Sequence, residues 1–207
     1  MHAIVREALG VLWPRACAGC GTPDHGVCRD CAATFAATQR ASLGSVPLVW
    51  AATYDGAARA VVLAAKEEGR GSATRLLATT LRRLVDEAMA DEAEVPLAVL
   101  VPASRGGTRR RGFVPVRVLA RGARLRSIEL RQAADGQQKR RGREERLHRG
   151  ALRARAGDAR LLDGARVVVV DDVATTGATL REAVAACRAA GAHVVAAIVV
   201  ARVPRHG

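Results

Sequence analysis

The chain has 207 residues, 49% of them apolar and 26% charged, with a formal net charge of +13. That length and apolar content suit a folded domain with its own core and exclude a disordered chain. Its longest apolar run near the C-terminus, Val194 to Ala201, is too short to cross a bilayer. The N-terminal apolar patch is interrupted by Arg6 and Glu7, which fits a secretory leader poorly. The expectation is a cytoplasmic protein without membrane insertion.

The charge is unevenly placed. Residues 105–160 carry 18 Lys/Arg against 5 Asp/Glu, so the rest of the chain is neutral overall. Such a segment suits phosphate, on a nucleotide or on nucleic acid. Arginine accounts for 31 of the 33 cations, however, and a genome that favours arginine codons explains the excess equally well.

In chain order, residues 1–15 can form a short helix that ends at Trp13-Pro14. Four of the five cysteines follow: Cys17, Cys20, Cys28 and Cys31, two CxxC pairs seven residues apart. Each pair brings two sulfurs onto one tight turn, and four thiolates complete the tetrahedron that a structural Zn2+ prefers. Gly21, directly after the second cysteine, permits the twist of such a knuckle. The competing readings are two disulfides, disfavoured in a reducing cytosol, and reduced thiols without metal. His25 reads as solvent-facing, and Cys187, in the stripe Leu180, Val184, Cys187, as a buried helix residue.

Val46 to Tyr54 has a strand pattern, closed by an Asp55-Gly56 turn. Helices are predicted over 57–67 and 72–90, the second with Leu77, Leu81, Leu84 and Ala88 on one face. Leu97 to Val101 is a short apolar strand that ends at Pro102, followed by the loop ASRGGTRRRGF. Residues 114–122 form a helix that tolerates Pro115 in its first turn, and Leu125 to Leu130 a further strand. Residues 131–160 are polar, basic and without clear periodicity, which is long for a loop inside a compact domain. A strand from Val167, a helix from Thr179 to Ala190 stopped by Gly191, and a strand from Val194 to Val200 complete the chain. Apolar strands alternating with helices predict an α/β fold whose parallel sheet is covered on both faces. Two units are expected, an N-terminal zinc-binding element over 1–45 and the α/β domain over 46–207.

The densest chemistry lies in VVVVDDVATTGATL, Val167 to Leu180. Open parallel sheets bind ligands beyond the carboxyl ends of their strands, where Asp171 and Asp172 stand. The turn Ala174, Thr175, Thr176, Gly177 and Ala178 leads into a helix at Thr179. A helix N-terminus offers free N–H groups and partial positive charge to a phosphate, and the three threonines add hydroxyl donors. The carboxylates suit vicinal hydroxyls or a metal ion. Hydroxyls and a phosphate on one small ring describe a ribose 5-phosphate. The plainer alternative, a strand, turn and helix with a capping threonine, leaves the acidic pair unexplained.

This stretch resembles the 5-phosphoribosyl 1-diphosphate (PRPP) signature of type I phosphoribosyltransferases. The four-cysteine element, the YDG of Tyr54 to Gly56 with Lys66 beyond it, Val101-Pro102 before an arginine-rich loop, Arg111-Gly112-Phe113 and the PRPP motif together resemble the ComF family of competence proteins, in that order. The resemblance implies a type I phosphoribosyltransferase-like sheet with an N-terminal zinc knuckle. Asp171 and Asp172 would hold the ribose hydroxyls and Ala174 to Thr179 the 5′-phosphate. Ala103, Ser104 and Arg105 would form the diphosphate loop, Mg2+ would accompany PRPP, and 131–160 would form a flexible basic hood. Val114 and Pro115 stand where the family has Asn-Gln; Gln137 or Gln138 and Arg146 match its hood, but the chain contains no asparagine.

The implied function is binding of PRPP or a related ribose phosphate in the service of DNA uptake, with single-stranded DNA and a DNA-uptake helicase as partners. The alternatives are an active transferase of unknown acceptor and a PRPP-responsive regulator. Five aromatic residues provide no evident stacking platform, so a DNA contact would be mainly electrostatic.

Overall fold

The computed structural model describes residues 16–23, 25–91, 96–103, 114–132 and 152–204. The expected helix over 1–15, Ser104, Arg105 and most of the basic segment lie outside these residues.

A short helix α1 (Arg29–Ala33) sits inside the cysteine segment. A hairpin of β1 (Gln39–Leu43) and β2 (Val46–Thr53) follows, then α2 (Gly56–Lys66), α3 (Gly71–Ala88) and β3 (Leu97–Leu100). Next come α4 (Pro115–Gly122), β4 (Ser127–Glu129), β5 (Arg131–Gln132), β6 (Leu152–Arg153) and α5 (Ala159–Leu162). The chain closes through β7 (Arg166–Ala174), α6 (Ala178–Ala189) and β8 (His193–Arg202). No helix among the described residues is long and apolar enough to cross a membrane.

Six strands form the main sheet in the order β1-β2-β8-β7-β3-β4. All neighbours are parallel except β1 with β2. Helices cover both faces, as continuous apolar strands require. On one face, Val168 and Val170 of β7 pack with Val61 and Val62 of α2, Leu77, Leu81 and Leu84 of α3, and Leu119 of α4. On the other, Val167 and Val169 pack with Leu180, Ala183, Val184 and Cys187 of α6. The mixed α/β fold with a mostly parallel sheet is the expected one, and Cys187 is the buried helix residue the stripe suggested.

Three elements differ from the sequence reading. Strand β1 was not expected, because QRASL offers only Ala41 and Leu43 as apolar residues; it forms by pairing with β2 around Gly44, whose φ is 68°. The chain therefore enters the sheet ahead of Val46. The strand expected over Leu125 to Leu130 shortens to Ser127–Glu129, since Leu125 stays tied to the end of α4 by its N–H on Ala120 O at 3.0 Å. Residues 131–160 are not wholly irregular: β5 and β6 pair antiparallel at the two ends of the basic segment, and α5 follows.

The connections place a crevice. From β3 the chain passes through α4 outward to β4, whereas from β7 it passes through α6 the other way, to β8. The direction of winding thus reverses between β3 and β7, and their carboxyl ends flank the gap where open α/β sheets bind ligands.

Candidate functional site

Val167 to Val170 have no solvent exposure. The residues after them remain strand because β8 continues to pair with them, Asp171 with Val199 and Val173 with Ala201. Strand β3 stops sooner. Its last paired residue, Leu100, faces Val170, and the Val101 N–H donates to Val170 O at 3.0 Å. Beyond that point β7 has a partner on one side, and Asp171 and Asp172 stand beside the opening.

The two carboxylates differ. Side chains alternate along a strand, so Asp172 continues the face of Val168 and Val170, and Asp171 that of Val167 and Val169. Lys66, the last residue of α2, meets Asp172 there, its Nζ 2.7 Å from Oδ2. The Val173 N–H donates to Asp172 Oδ1, and the Asp172 N–H to Asp171 Oδ1, each at 2.8 Å. Burial, then the charge of Asp172, push the pKa of Asp171 well above the usual carboxylate range, against the Asp172 N–H and the Lys66 charge. Lys66 entered the sequence reading only as part of a resemblance; no local pattern announces which carboxylate it meets.

The turn after β7 is built for close approach. Gly177 has φ 76°, a left-handed conformation that favours glycine, and a Cβ there would lie 2.9 Å from Leu43 Cδ1. The Val203 N–H donates to Ala174 O at 2.8 Å and ties the start of the turn to the end of β8. Helix α6 begins at Ala178, one residue before the expected start, and its first turn carries no acidic side chain. Its positive end is therefore not neutralised from within the helix, which favours an anion. The Ala178 N–H donates to Thr176 Oγ1 at 3.3 Å, while Thr175, Thr176, Ala178 and Thr179 are exposed. Ala103 lies just past the end of β3 and is half-buried. A cleft of about 540 Å³ opens on the α2–α3–α4 side, bordered by Ala65, Gly69, Thr74, Arg75, Thr79 and Val118.

The four N-terminal cysteines converge, with every Sγ within 4.8 Å of the others. Cys20 Sγ and Cys28 Sγ are 3.6 Å apart. Zinc–sulfur bonds of ~2.3 Å in a tetrahedron separate the sulfurs by roughly 3.8 Å, so the four thiols fit an ion such as zinc. Gly19 allows the approach, since a Cβ there would lie 2.5 Å from Cys31 Sγ, and Gly21 turns at φ 79°. Burial opposes the Cys17 thiolate, but the backbone N–H groups of Cys20, Cys28 and Gly19 outweigh it and lower its pKa to about 6. Burial, together with the neighbouring sulfurs, pushes the Cys31 thiol up. His25 is exposed and is not in the group. The element is mounted on the α/β domain: Ala18 and Phe35 join its core, and Arg83 of α3 donates to Phe35 O at 2.8 Å and Ala37 O at 3.0 Å.

A family model described as "Phosphoribosyl transferase domain" matches residues 81–206, from within α3 to beyond β8. No curated protein matches the chain. Among solved structures it is similar to a phosphoribosyltransferase from Corynebacterium diphtheriae, at 22% identity over 68% of this chain and 69% of that one, with a TM-score of 0.37. It is also similar to orotate phosphoribosyltransferase from Aeropyrum pernix, at 22% identity over 74% and 67%, with a TM-score of 0.37.

Two outcomes are expected. Asp171 keeps its proton to higher pH in the fold than in the unfolded chain, so it costs stability as pH rises from the ordinary carboxylate range through its raised folded value. Asp171→Asn should therefore raise the urea midpoint at neutral pH, with the gain vanishing in acid; an unchanged midpoint at neutral pH would show no such cost. Cys17→Ser should abolish stoichiometric zinc measured by atomic absorption, and full retention would point to another ligand.

Proposed function

We propose, from the premise that this chain belongs to the phosphoribosyl transferase domain family, that its carboxyl-edge crevice binds PRPP or a related ribose phosphate. One observation carries this reading. A strand buried on both faces delivers two carboxylates directly into a left-handed glycine turn, which opens a twelve-residue helix without an acid in its first turn. Asp171 and Asp172 accept from the ribose hydroxyls. Thr175, Thr176, Gly177, Ala178 and Thr179, with Ala174 at the base of the turn, hold the 5′-phosphate through backbone N–H groups and hydroxyls. Ala103 and, next to it in the sequence, Ser104 and Arg105 receive the diphosphate. Mg2+ bound with PRPP supplies neutralisation of the diphosphate charge.

The four-cysteine cluster ahead of the matched region supports a finer reading, a ComF-like protein with structural zinc that serves DNA uptake. Its contact with single-stranded DNA would be carried by arginine, so binding should weaken steeply as salt is raised. Absence of binding, or indifference to salt, in a fluorescence-anisotropy titration would remove the DNA part of this reading.

Calorimetric titration of the zinc-loaded protein with PRPP, with and without Mg2+, tests the crevice. Asp171→Asn combined with Asp172→Asn should weaken binding roughly a hundredfold, because charge-assisted hydrogen bonds are lost, with the circular dichroism spectrum unchanged. Equal affinity in the double variant, or no binding to the native protein at millimolar PRPP, would overturn the assignment.

A further inference from the structure

Lys66 takes no part in the binding roles above. It is one of two lysines in a chain with 31 arginines. It ends α2, where a cation is favoured by the helix dipole. The helix end is held by the Glu67 N–H on Leu63 O at 2.7 Å and the Arg70 N–H on Ala64 O at 3.0 Å, with Gly69 turning at φ 65°. The ammonium thus starts from a fixed point. It reaches Asp172 Oδ2 at 2.7 Å, with the Lys66 side chain 28% exposed and that of Asp172 12%. Val62, Ala65, Leu77, Pro115 and Leu119 wall the small cavity beside the pair. An ion pair against such a wall is screened far less than one on the surface.

The charge count gives this contact its meaning. Two adjacent carboxylates carry −1 while Asp171 keeps its proton and −2 once both are ionised, the kind of oxygen-rich centre that collects a divalent cation. The ammonium cancels one of these charges, that of Asp172, in either state. A carboxylate has about four lone-pair sites, and Asp172 has one oxygen on Lys66 and the other on the Val173 N–H. It is oriented and still able to accept a hydroxyl.

We propose that Lys66 is a fixed counter-cation for the acidic pair. It stands in for the divalent ion that Asp171 and Asp172 would otherwise attract, orients Asp172, and leaves the pair to recognise a vicinal diol by hydrogen bonds without a metal between them. This inference rests on the ribose phosphate reading of the crevice. It makes Lys66 a positioning residue, acting through Asp172.

Ribose 5-phosphate is the discriminating probe, because it carries the diol and the 5′-phosphate but no diphosphate. Its binding to the zinc-loaded protein would be measured by calorimetry with and without Mg2+, for the native chain, Lys66→Arg, Lys66→Gln and Lys66→Met. Mn2+ binding without sugar would be followed in parallel by electron paramagnetic resonance. The native protein and Lys66→Arg should bind the sugar equally well with and without Mg2+. Lys66→Met should lose about tenfold without Mg2+, recover in part when it is added, and gain an Mn2+ site that a further Asp171→Asn removes. Lys66→Gln keeps a hydrogen-bond donor without the charge and should gain the same Mn2+ site. It separates lost charge from lost packing if the methionine variant folds poorly.

Native-like sugar binding in Lys66→Met with no new Mn2+ site would overturn the proposal, as would sugar binding by the native protein that requires Mg2+. If the native protein and the Asp171→Asn, Asp172→Asn double variant alike fail to bind the sugar, the ribose phosphate reading falls. The Mn2+ comparison still decides whether Lys66 neutralises the pair.

Discussion

Burial of Val167 to Val170 on both faces of the sheet decides where the two carboxylates go. With one apolar core above β7 and another below it, a register slip of even one residue would carry Asp171 into the valine layer, at the cost of an unpaired buried charge. The acidic pair is thereby held at one height, just past the end of β3 and beside the glycine turn. Gly177 completes the arrangement, because only a residue without Cβ meets both the left-handed φ and the proximity of Leu43. Strand β1, a polar hairpin arm at the far edge of the sheet, thus contributes through Leu43 to the shape of the turn.

Much of this was legible in the sequence, where the signal is local. Four valines in a row can be little else than a strand covered twice, and Leu77, Leu81 and Leu84 at helical spacing mark the inner face of α3. The cysteine spacing announced its own convergence, since paired thiols on tight turns need few outside constraints. What stayed hidden depends on contacts between distant segments. QRASL is too short and too polar to announce a strand by itself, and becomes one because β2 offers it a partner. The meeting of Lys66 with Asp172 is a product of how α2 crosses the sheet, which no window of sequence around either residue displays. The unequal environments of the two aspartates follow from strand alternation, which was readable, combined with that crossing, which was not.

The N-terminal element and the crevice share a support. The cysteine segment packs through Ala18 and Phe35 into the core that holds α2 and α3, and Val61 of α2 lies 3.3 Å from where a Cβ on Gly19 would be. The same helix ends in Lys66. A metal ion at the four thiols would therefore brace, at its middle, the helix whose C-terminal end is paired with the acidic group.

The uneven lengths of β3 and β7 have a dynamic consequence. Amides of Val167 to Val170 sit in a strand paired on both sides and buried above and below, so their exchange with solvent requires opening of the whole domain. From Asp171 onward the strand is held, among the described residues, by β8 alone. The frontier between globally and locally opening backbone falls at the first carboxylate, so the glycine turn beyond it can breathe on its own while the sheet that carries it stays closed.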